Sequence, residues 1–586
     1  MSKNDLEIRR RHTASHLMTK AIEMCFPDTK IHLGVGPWTD EGFYQDFDFG
    51  ETKFSTDDFK KVEKKMRWLV NKNFKITRFN TDYETAKKEC ADDKFKTEIL
   101  EDLKNAGETN FSFYDFVDDS GRIIFRNLCA GPHLASTGEV GVFKLTKCSA
   151  AFWRGDARRE SLTRVYGVAF PDNASLETYE NFLEEAAKRD HRKLGVALDL
   201  FTFSEKVGAG LPLFTPKGAF LRNKIEQTIT DIQEKFGFEK VHIPHITKKD
   251  LYETSGHWEK FKEDLFHVKG KHGAEFVMKP MNCPHHTQIY ASQMRSYRDL
   301  PIRYVETTTC YRDEQPGELL GLSRVRSLTQ DDGHVFCTIA QIKQESKNIV
   351  EVIRQFYTKL DMFGEDNFCV SLSVRDPKTP EKYLGKTENW DKAEQFLEEI
   401  AEEEGLKYKR IEGEAAFYGP KLDFQFKDAI GRDWQLATVQ IDFVQPERFD
   451  LEYINEKGGK STPVMIHRAV AGSLERFLSL IIEHFAGAFP VWLAPVQAHI
   501  LPVNKKHEDF AYDLAKKIKE NGGRIEIYPA SETLGKRIRN AQTQKVPFSI
   551  VIGDNEIQEK NLTIRKYGEQ KDSKITLDAF MKILSQ

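Results

Sequence analysis

Long apolar runs are missing from this chain. No stretch approaches the ~20 residues that cross a bilayer. The start, MSKNDLEIRRRH, is charged with no apolar core behind it, so neither a membrane span nor a secretory signal is expected. Cysteine is scarce, and its 8 residues are scattered without a close repeat, which excludes a disulfide framework. That usage points to a reducing cytoplasm, where any special cysteine is a ligand or a reactive thiol. An excess of one charge is also absent. With 87 Lys and Arg against 91 Asp and Glu the formal net charge is -4, so a nucleic-acid partner has to be held by local patches. There is no internal repeat, no low-complexity tract, and no Gly-rich Walker loop or dinucleotide fingerprint. What is present, 39% hydrophobic and 30% charged residues, is the balance of a globular protein. At 586 residues the chain is too long for one core and predicts about three to four domains.

The patterning divides the chain. Residues 1–173 mix short strands and helices. GFYQDFDF reads as a strand with aromatics on alternate positions. STDDFKKVEKKMRWLV reads as a helix capped by Ser55 or Thr56, with an apolar stripe at Phe59, Val62, Met66, Leu69 and Val70. Residues 174–194 form a charged helical connector, expected as a solvated spacer. From 195 to 490 runs a strand-rich block punctuated by Gly and Pro. Residues 491–586 alternate helix and strand, as in a small α/β domain with a mostly parallel sheet.

Two polar pairs stand out in the first segment. His12 and His16 in RRRHTASHL lie four apart, which on a helix puts both imidazoles on one face. Cys129 and His133 in NLCAGPHL bracket a Gly-Pro turn that folds a thiol and an imidazole toward one point. Either pair alone is weak evidence; together they suggest a polar pocket closed by the fold. In the central block, TTTCYRDEQPGELLGLSRVRSLTQDDGHVFC reads as strand, charged loop, strand. Arg312 ends the first strand and Arg324 enters the second, with Glu314 between them. Guanidinium forks match phosphate oxygens, so this is a candidate triphosphate clamp; a surface hairpin with ion pairs would look the same. MIHRAVAGSLERFLSLIIEHFAGAFP reads as a strand, a Gly turn and an apolar helix with Arg476 near its start.

The helix and strand from Gly218 to Pro244, the arginine hairpin and the last segment resemble motifs one, two and three of class II aminoacyl-tRNA synthetases. MKPMNCPHH, TQDDGHVFC, FYGPKLDF and ATVQIDF sharpen the resemblance to the threonyl-tRNA synthetases, and the His/Cys pairs resemble the editing domain of the threonyl and alanyl enzymes. The resemblance covers nearly the whole chain. It implies an α+β and α/β multidomain protein: an editing domain at 1–173, a linker at 174–194, a class II antiparallel catalytic domain at 195–490 and an α/β anticodon-binding domain at 491–586. The small ubiquitin-like domain that precedes these in many bacterial members is expected to be absent. The implied activity is ligation of threonine to tRNA(Thr) through threonyl-adenylate, by a cytoplasmic homodimer.

Residue roles are carried over by the same resemblance. Cys283, His334 and His467 match three zinc ligands that leave one position open, where the amino and hydroxyl groups of threonine bind. Valine has no hydroxyl, and a site demanding one rejects such an isostere more strongly than a hydrophobic pocket does. Asp332 matches the hydroxyl acceptor. Gln330, Tyr418 and Lys421 match the lining of the amino-acid and phosphate region, and Gln440 a further active-site glutamine. Arg312 is assigned to the α-phosphate and carboxylate, Arg324 to the γ-phosphate end, Arg476 to stacking on adenine and Glu314 to its amino group, with Mg2+ bridging the phosphates of ATP. Leu328 stands where the family offers a phenylalanine to adenine.

Serine keeps the hydroxyl and lacks one methyl, a difference of roughly 1–3 kcal/mol. A second, hydrolytic site is the remedy. His12, His16, Cys129 and His133 match its lining, and Lys96 matches a catalytic lysine. Asn127 stands where the family has an acid; an amide positions water but is no base. The same four residues also have the composition of a zinc set. In the last domain Lys536, Arg539 and Lys545 form an expected basic cluster, Glu556 and Arg565 match base-reading positions, and Ser531 replaces a common asparagine. Another class II synthetase, prolyl or seryl, or a synthetase-like regulator without chemistry are the rivals. The first would lack the zinc set, and the second typically lacks motif arginines.

Overall fold

The computed structural model describes residues 3–39, 42–156, 158–271, 273–364, 368–428, 431–569 and 571–585. It divides into two compact units, Met1–Glu184 and Glu185–Gln586. Among the described residues no helix is long and apolar enough to cross a membrane.

The first unit is built around the helix Lys3–Cys25. Ala14, Leu17, Met18, Ala21 and Ile22 recur at helical spacing and are fully buried. The helix Phe59–Lys72 packs its Val62, Met66 and Leu69 into the same core. Ser55 caps the preceding turn, accepting a hydrogen bond from the Asp57 amide. A four-stranded antiparallel sheet runs in the order His32–Leu33, Phe43–Asp48, Ser161–Phe170, Val142–Phe152. A three-stranded sheet joins Lys75–Thr81, Phe111–Val117 and Ile123–Leu128. After its last strand the chain turns back at Gly131, where φ is 80°. A side chain there would place its Cβ 2.4 Å from the Tyr114 hydroxyl, so only glycine fits.

The second unit holds an eight-stranded sheet in the order Glu239–Lys240, Ile302–Tyr311, Ser327–Cys337, Val464–Ser473, Asp433–Asp442, Lys421–Lys427, Phe368–Val374, Tyr408–Glu412. Its two end pairings are parallel and the rest antiparallel. One face packs on the helices Pro216–Gln233 and Ile342–Lys359 and on Leu474–His484. Register decides function on the other face. His334 lies opposite His467, His467 opposite Gln440, and Gln440 opposite Lys421, so one cross-strand row carries four site residues over four strands. Arg468, next in sequence to His467, points the opposite way. It is buried against Asp331 at 2.6 Å, and Asp331 also accepts the amides of Val470 and Ala471.

The C-terminal sheet runs Ile525–Ile527, Ala498–Pro502, Phe548–Ile552, Asn561–Lys566, Asp572–Thr576. Two of its pairings are parallel and two antiparallel, so it is mixed, not mostly parallel. The cause is connection length: residues 553–560 hold one short helix, less than the dozen residues a parallel crossover needs. The connector also departs from expectation at its end. The helix Asn173–Arg189 buries none of its residues, but His191 is buried. Its Nδ1 lies 2.7 Å from Glu483 and its Nε2 accepts the Leu322 amide. That segment is anchored where a free spacer was expected.

Candidate active site and hydrolytic pocket

Cys283 opens the helix Cys283–Ala291, whose Pro284 suits the first turn, where no backbone donor is needed. The helix aims its thiol at the row of strand residues. One ligand atom each from Cys283, His334 and His467 lies within 4.8 Å of the others, and all three side chains are buried. His334 Nε2 is buried without a hydrogen-bond partner among the described residues. Burial pushes the Cys283 thiol up, with Asp332 adding to it, and holds the His334 imidazole well below its ordinary value. A thiol and two imidazoles, one with an orphaned ring nitrogen, are the donor set that zinc takes, with a fourth position open. Asp332 borders the cluster. Burial raises its carboxyl to about 6, while Asn282 Nδ2 donates to it at 3.2 Å.

Around this cluster Tyr418 stacks on His467 with ring centroids 4.9 Å apart and donates to Gln440 Oε1 at 2.8 Å. Lys421 Nζ is held 2.7 Å from Asp423. Gln330 Oε1 is buried with no hydrogen-bond partner among the described residues. Three residues that the sequence reading passed over sit here as well. His257 Nε2 is 4.0 Å from Cys283 Sγ, and burial lowers its imidazole to about 3. His286 Nδ1 lies 2.7 Å from His334 Nδ1, and Asp442 Oδ2 lies 2.9 Å from His467 Nε2. His257 carried no signal beyond a lone histidine. His286 had one: it follows Cys283 by three, the same face of a helix.

The arginine region lies past the strand ends. Arg312 directly follows Ile302–Tyr311, and its amide donates to Arg326 O at 3.0 Å. Arg324 precedes Ser327–Cys337 and pairs with Glu314 at 2.7 Å and Glu318 at 3.1 Å. Glu314 is thus engaged by an arginine of the same clamp. Arg476, whose Nε donates to Ser323 O at 3.2 Å, has its pKa lowered by burial and then by the charges of Arg312 and Arg324. Three guanidiniums that repel one another in a partly buried site favour a polyanion. Leu328 sits opposite Cys310 on the neighbouring strand.

In the first unit His12, His16, Cys129 and His133 converge, one ligand atom each within 4.8 Å. Cys129 Sγ is 3.3 Å from both His12 Nε2 and His133 Nε2. His16 Nε2 is 3.3 Å from Asn127 Nδ2, and His133 Nδ1 is 3.2 Å from Thr13 Oγ1. Burial lowers His12 to about 4 and His133 to about 2, and holds His16 well below its ordinary value. Lys96, also buried, is lowered for the same reason. His12, His16, Lys96, Asn127 and Cys129 open on a cavity of about 740 Å³ that Arg78, Trp38 and Gln45 also line. Neutral imidazoles and one ammonium can position water and stabilise an oxyanion.

The C-terminal residues are placed less simply. Arg539 is exposed on the helix Leu534–Thr543 and Lys536 pairs with Glu532 at 2.6 Å. Lys545 turns away to the Ala486 carbonyl at 2.6 Å. Both Glu556 oxygens are engaged, by Thr563 Oγ1 at 2.6 Å and the Gly553 amide at 2.8 Å. Arg565 pairs with Asp572 at 2.6 Å.

Three family models match regions of the chain. Residues 266–485 match the tRNA synthetase class II core domain (G, H, P, S and T), which fixes the class of the catalytic sheet. Residues 497–586 match an anticodon binding domain, and residues 112–166 the threonyl and alanyl tRNA synthetase second additional domain. The threonine–tRNA ligase of Cytophaga hutchinsonii is 44% identical over 580 residues, covering 97% of this chain and 87% of that protein. That of Gloeobacter violaceus is 46% identical over 578 residues, covering 97% and 90%. The solved RNA binding domain of threonyl-tRNA synthetase from Cryptosporidium parvum is 36% identical with a TM-score of 0.64, covering 68% of this chain and 98% of that one. This chain belongs to the threonine–tRNA ligase family.

Proposed function

We propose that the chain joins threonine to tRNA(Thr) and hydrolyses mischarged Ser-tRNA(Thr). The observation that carries this reading is the cross-strand row His334–His467–Gln440–Lys421 meeting Cys283 beside three converging arginines. Cys283, His334 and His467 would hold a zinc ion, which would supply a Lewis-acid site for the amino and hydroxyl groups of threonine. Asp332 accepts a hydrogen bond from the threonine hydroxyl. Arg312 holds the threonine carboxylate against the α-phosphate of ATP, and Arg324 holds the γ-phosphate, releasing Glu314 toward the adenine amino group. Arg476 covers the adenine ring and Leu328 makes an apolar contact with it. The carboxylate oxygen bonds to the α-phosphorus and pyrophosphate leaves; Mg2+ would supply countercharge to the leaving group. The rate comes from positioning and from charge stabilisation at the phosphate. A ribose hydroxyl at the 3′ end of the tRNA then attacks the threonyl carbonyl carbon and AMP leaves, with the Tyr418, Gln440, Gln330 and Lys421 side chains lining the site.

In the hydrolytic pocket His12 and Cys129 position a water and Lys96 stabilises the developing oxyanion, while His16 and His133 fix the surrounding network. Asn127 orients the water without acting as base. We assign editing to 1–173, linkage to 174–194, catalysis to 195–490 and anticodon binding to 491–586, with Arg539 and Arg565 directed at RNA. The working form is a cytoplasmic homodimer. ATP–pyrophosphate exchange with threonine, serine, valine and proline tests the reading. Exchange with threonine, weakly with serine and not with valine or proline is expected; exchange with proline alone would overturn it.

A further inference from the structure

The two imidazoles of the cluster are held by different partners on different nitrogens. His467 Nε2 lies 2.9 Å from Asp442 Oδ2. Asp442 is itself fixed by the amides of Val444 and Gln445 and by Gln445 Nε2. With Nε2 so engaged, Nδ1 is the nitrogen whose lone pair His467 has to offer a metal. His334 is arranged in the opposite sense. Its Nε2 is the buried nitrogen with no hydrogen-bond partner, and its Nδ1 lies 2.7 Å from His286 Nδ1. The His286 ring stands edge-on to His334, with centroids 4.7 Å apart at 88°, and its own Nε2 is buried and unpartnered.

A neutral imidazole has one N–H and one lone pair. If His334 is to offer a lone pair at Nε2, its proton has to sit at Nδ1 and be accepted by His286 Nδ1. Donation the other way, from His286 to His334, would put the His334 proton on Nε2 and close that nitrogen to a metal. The direction of one hydrogen bond therefore decides whether His334 can serve as a ligand. We infer that His286 is a positioning residue for metal binding: it accepts the Nδ1 proton of His334 and so presents Nε2 to the zinc. Asp442 does the same for His467 on the other nitrogen. Cys283 and His286 lie three apart on one helix, so the segment that brings the thiol also brings the partner that sets the second ligand's tautomer. Because His286 is a neutral acceptor, it orients His334 without adding negative charge. Of the partners on the nitrogens away from the metal, Asp442 is anionic and His286 is not, while Asp332 Oδ1 lies 3.7 Å from His334 Nε2 itself.

This inference rests on the zinc-ligand reading given above. The test uses the full-length protein and two nearly isosteric variants. His286→Asn keeps an acceptor near the position of Nδ1, and His286→Leu removes it. Zinc affinity is read by competition with a chromophoric chelator, and the geometry of the site by the visible spectrum of the Co2+-substituted protein. His286→Leu should lose about 10- to 100-fold in affinity, the scale of a lost partner to a metal-bound histidine, with a changed cobalt spectrum. His286→Asn should retain most of the affinity and the wild-type spectrum. A folded His286→Leu protein that binds zinc as wild type does overturns the inference, and so does an Asn variant that loses the metal as fully as the Leu variant. If the Leu variant does not fold, loss of metal from a folded His286→Asn protein is enough to reject it. A wild-type protein with no zinc affinity overturns the ligand reading itself.

Discussion

Acid should loosen the first unit, because its pocket buries three imidazoles in the neutral state. Burial lowers His12 from 6.5 to about 4 and His133 to about 2, with His16 held well below 6.5. Each group titrates near 6.5 in the unfolded chain, so the unfolded state takes up the proton first. The stability from keeping them neutral is fully present above pH 6.5 and is lost as pH falls toward the folded values. At pH 5 each imidazole is about 1.5 units below its unfolded pKa and costs about 2 kcal/mol. Three such groups cost on the order of 6 kcal/mol, comparable to the whole stability of a domain at about 5–15 kcal/mol. Amide hydrogen exchange by mass spectrometry at pH 7 and pH 5, corrected for intrinsic rates, should show lost protection in Lys3–Cys25 and Ile123–Leu128. A His16→Gln variant should lose about one third less. Unchanged protection at pH 5, or equal losses in wild type and variant, would refute the reasoning.

Three further outcomes follow from the same geometry. Arg312→Ala should lower kcat for adenylate formation by on the order of a hundredfold, the scale of one lost preorganised donor; a change confined to KM would mean that Arg312 gives only uniform binding. Lys96→Ala should depress deacylation of preformed Ser-tRNA, and Asn127→Asp should equal or raise it, with threonine activation unchanged in both; no hydrolysis above the spontaneous rate by wild type or either variant would remove the editing role. Arg468→Met should cost about 3–5 kcal/mol in urea unfolding, because Asp331 is left buried without its cation; an unchanged midpoint would contradict that.

The sequence made local features legible and left register-dependent ones hidden. His12 and His16 were readable because helix spacing alone puts them together, and the Phe59 to Leu69 stripe for the same reason. No spacing rule joins Cys283, His334 and His467: they meet because two antiparallel strands pair His334 with His467 and a separate helix delivers the thiol. Only the family resemblance named them. Asp442 and Asp423 were invisible for the same reason, since each supports a side chain through strand pleat or turn geometry. The mixed C-terminal sheet was missed because alternating elements suggest crossovers, whereas the 553–560 connection is too short for one. The anticodon residues were the least legible. Charge on a helix face does not show that Lys545 bends to a carbonyl or that Glu556 is engaged at both oxygens.

The central claim is that threonine is recognised through a metal held by Cys283, His334 and His467. The direct measurement is ATP–pyrophosphate exchange by protein stripped of metal and then restored with zinc, with threonine and valine as substrates and Cys283→Ala as the control. The account predicts one zinc per chain, threonine exchange that vanishes on stripping and returns with zinc, no valine exchange in either state, and neither metal nor exchange in Cys283→Ala. Full threonine exchange by the stripped protein would contradict it.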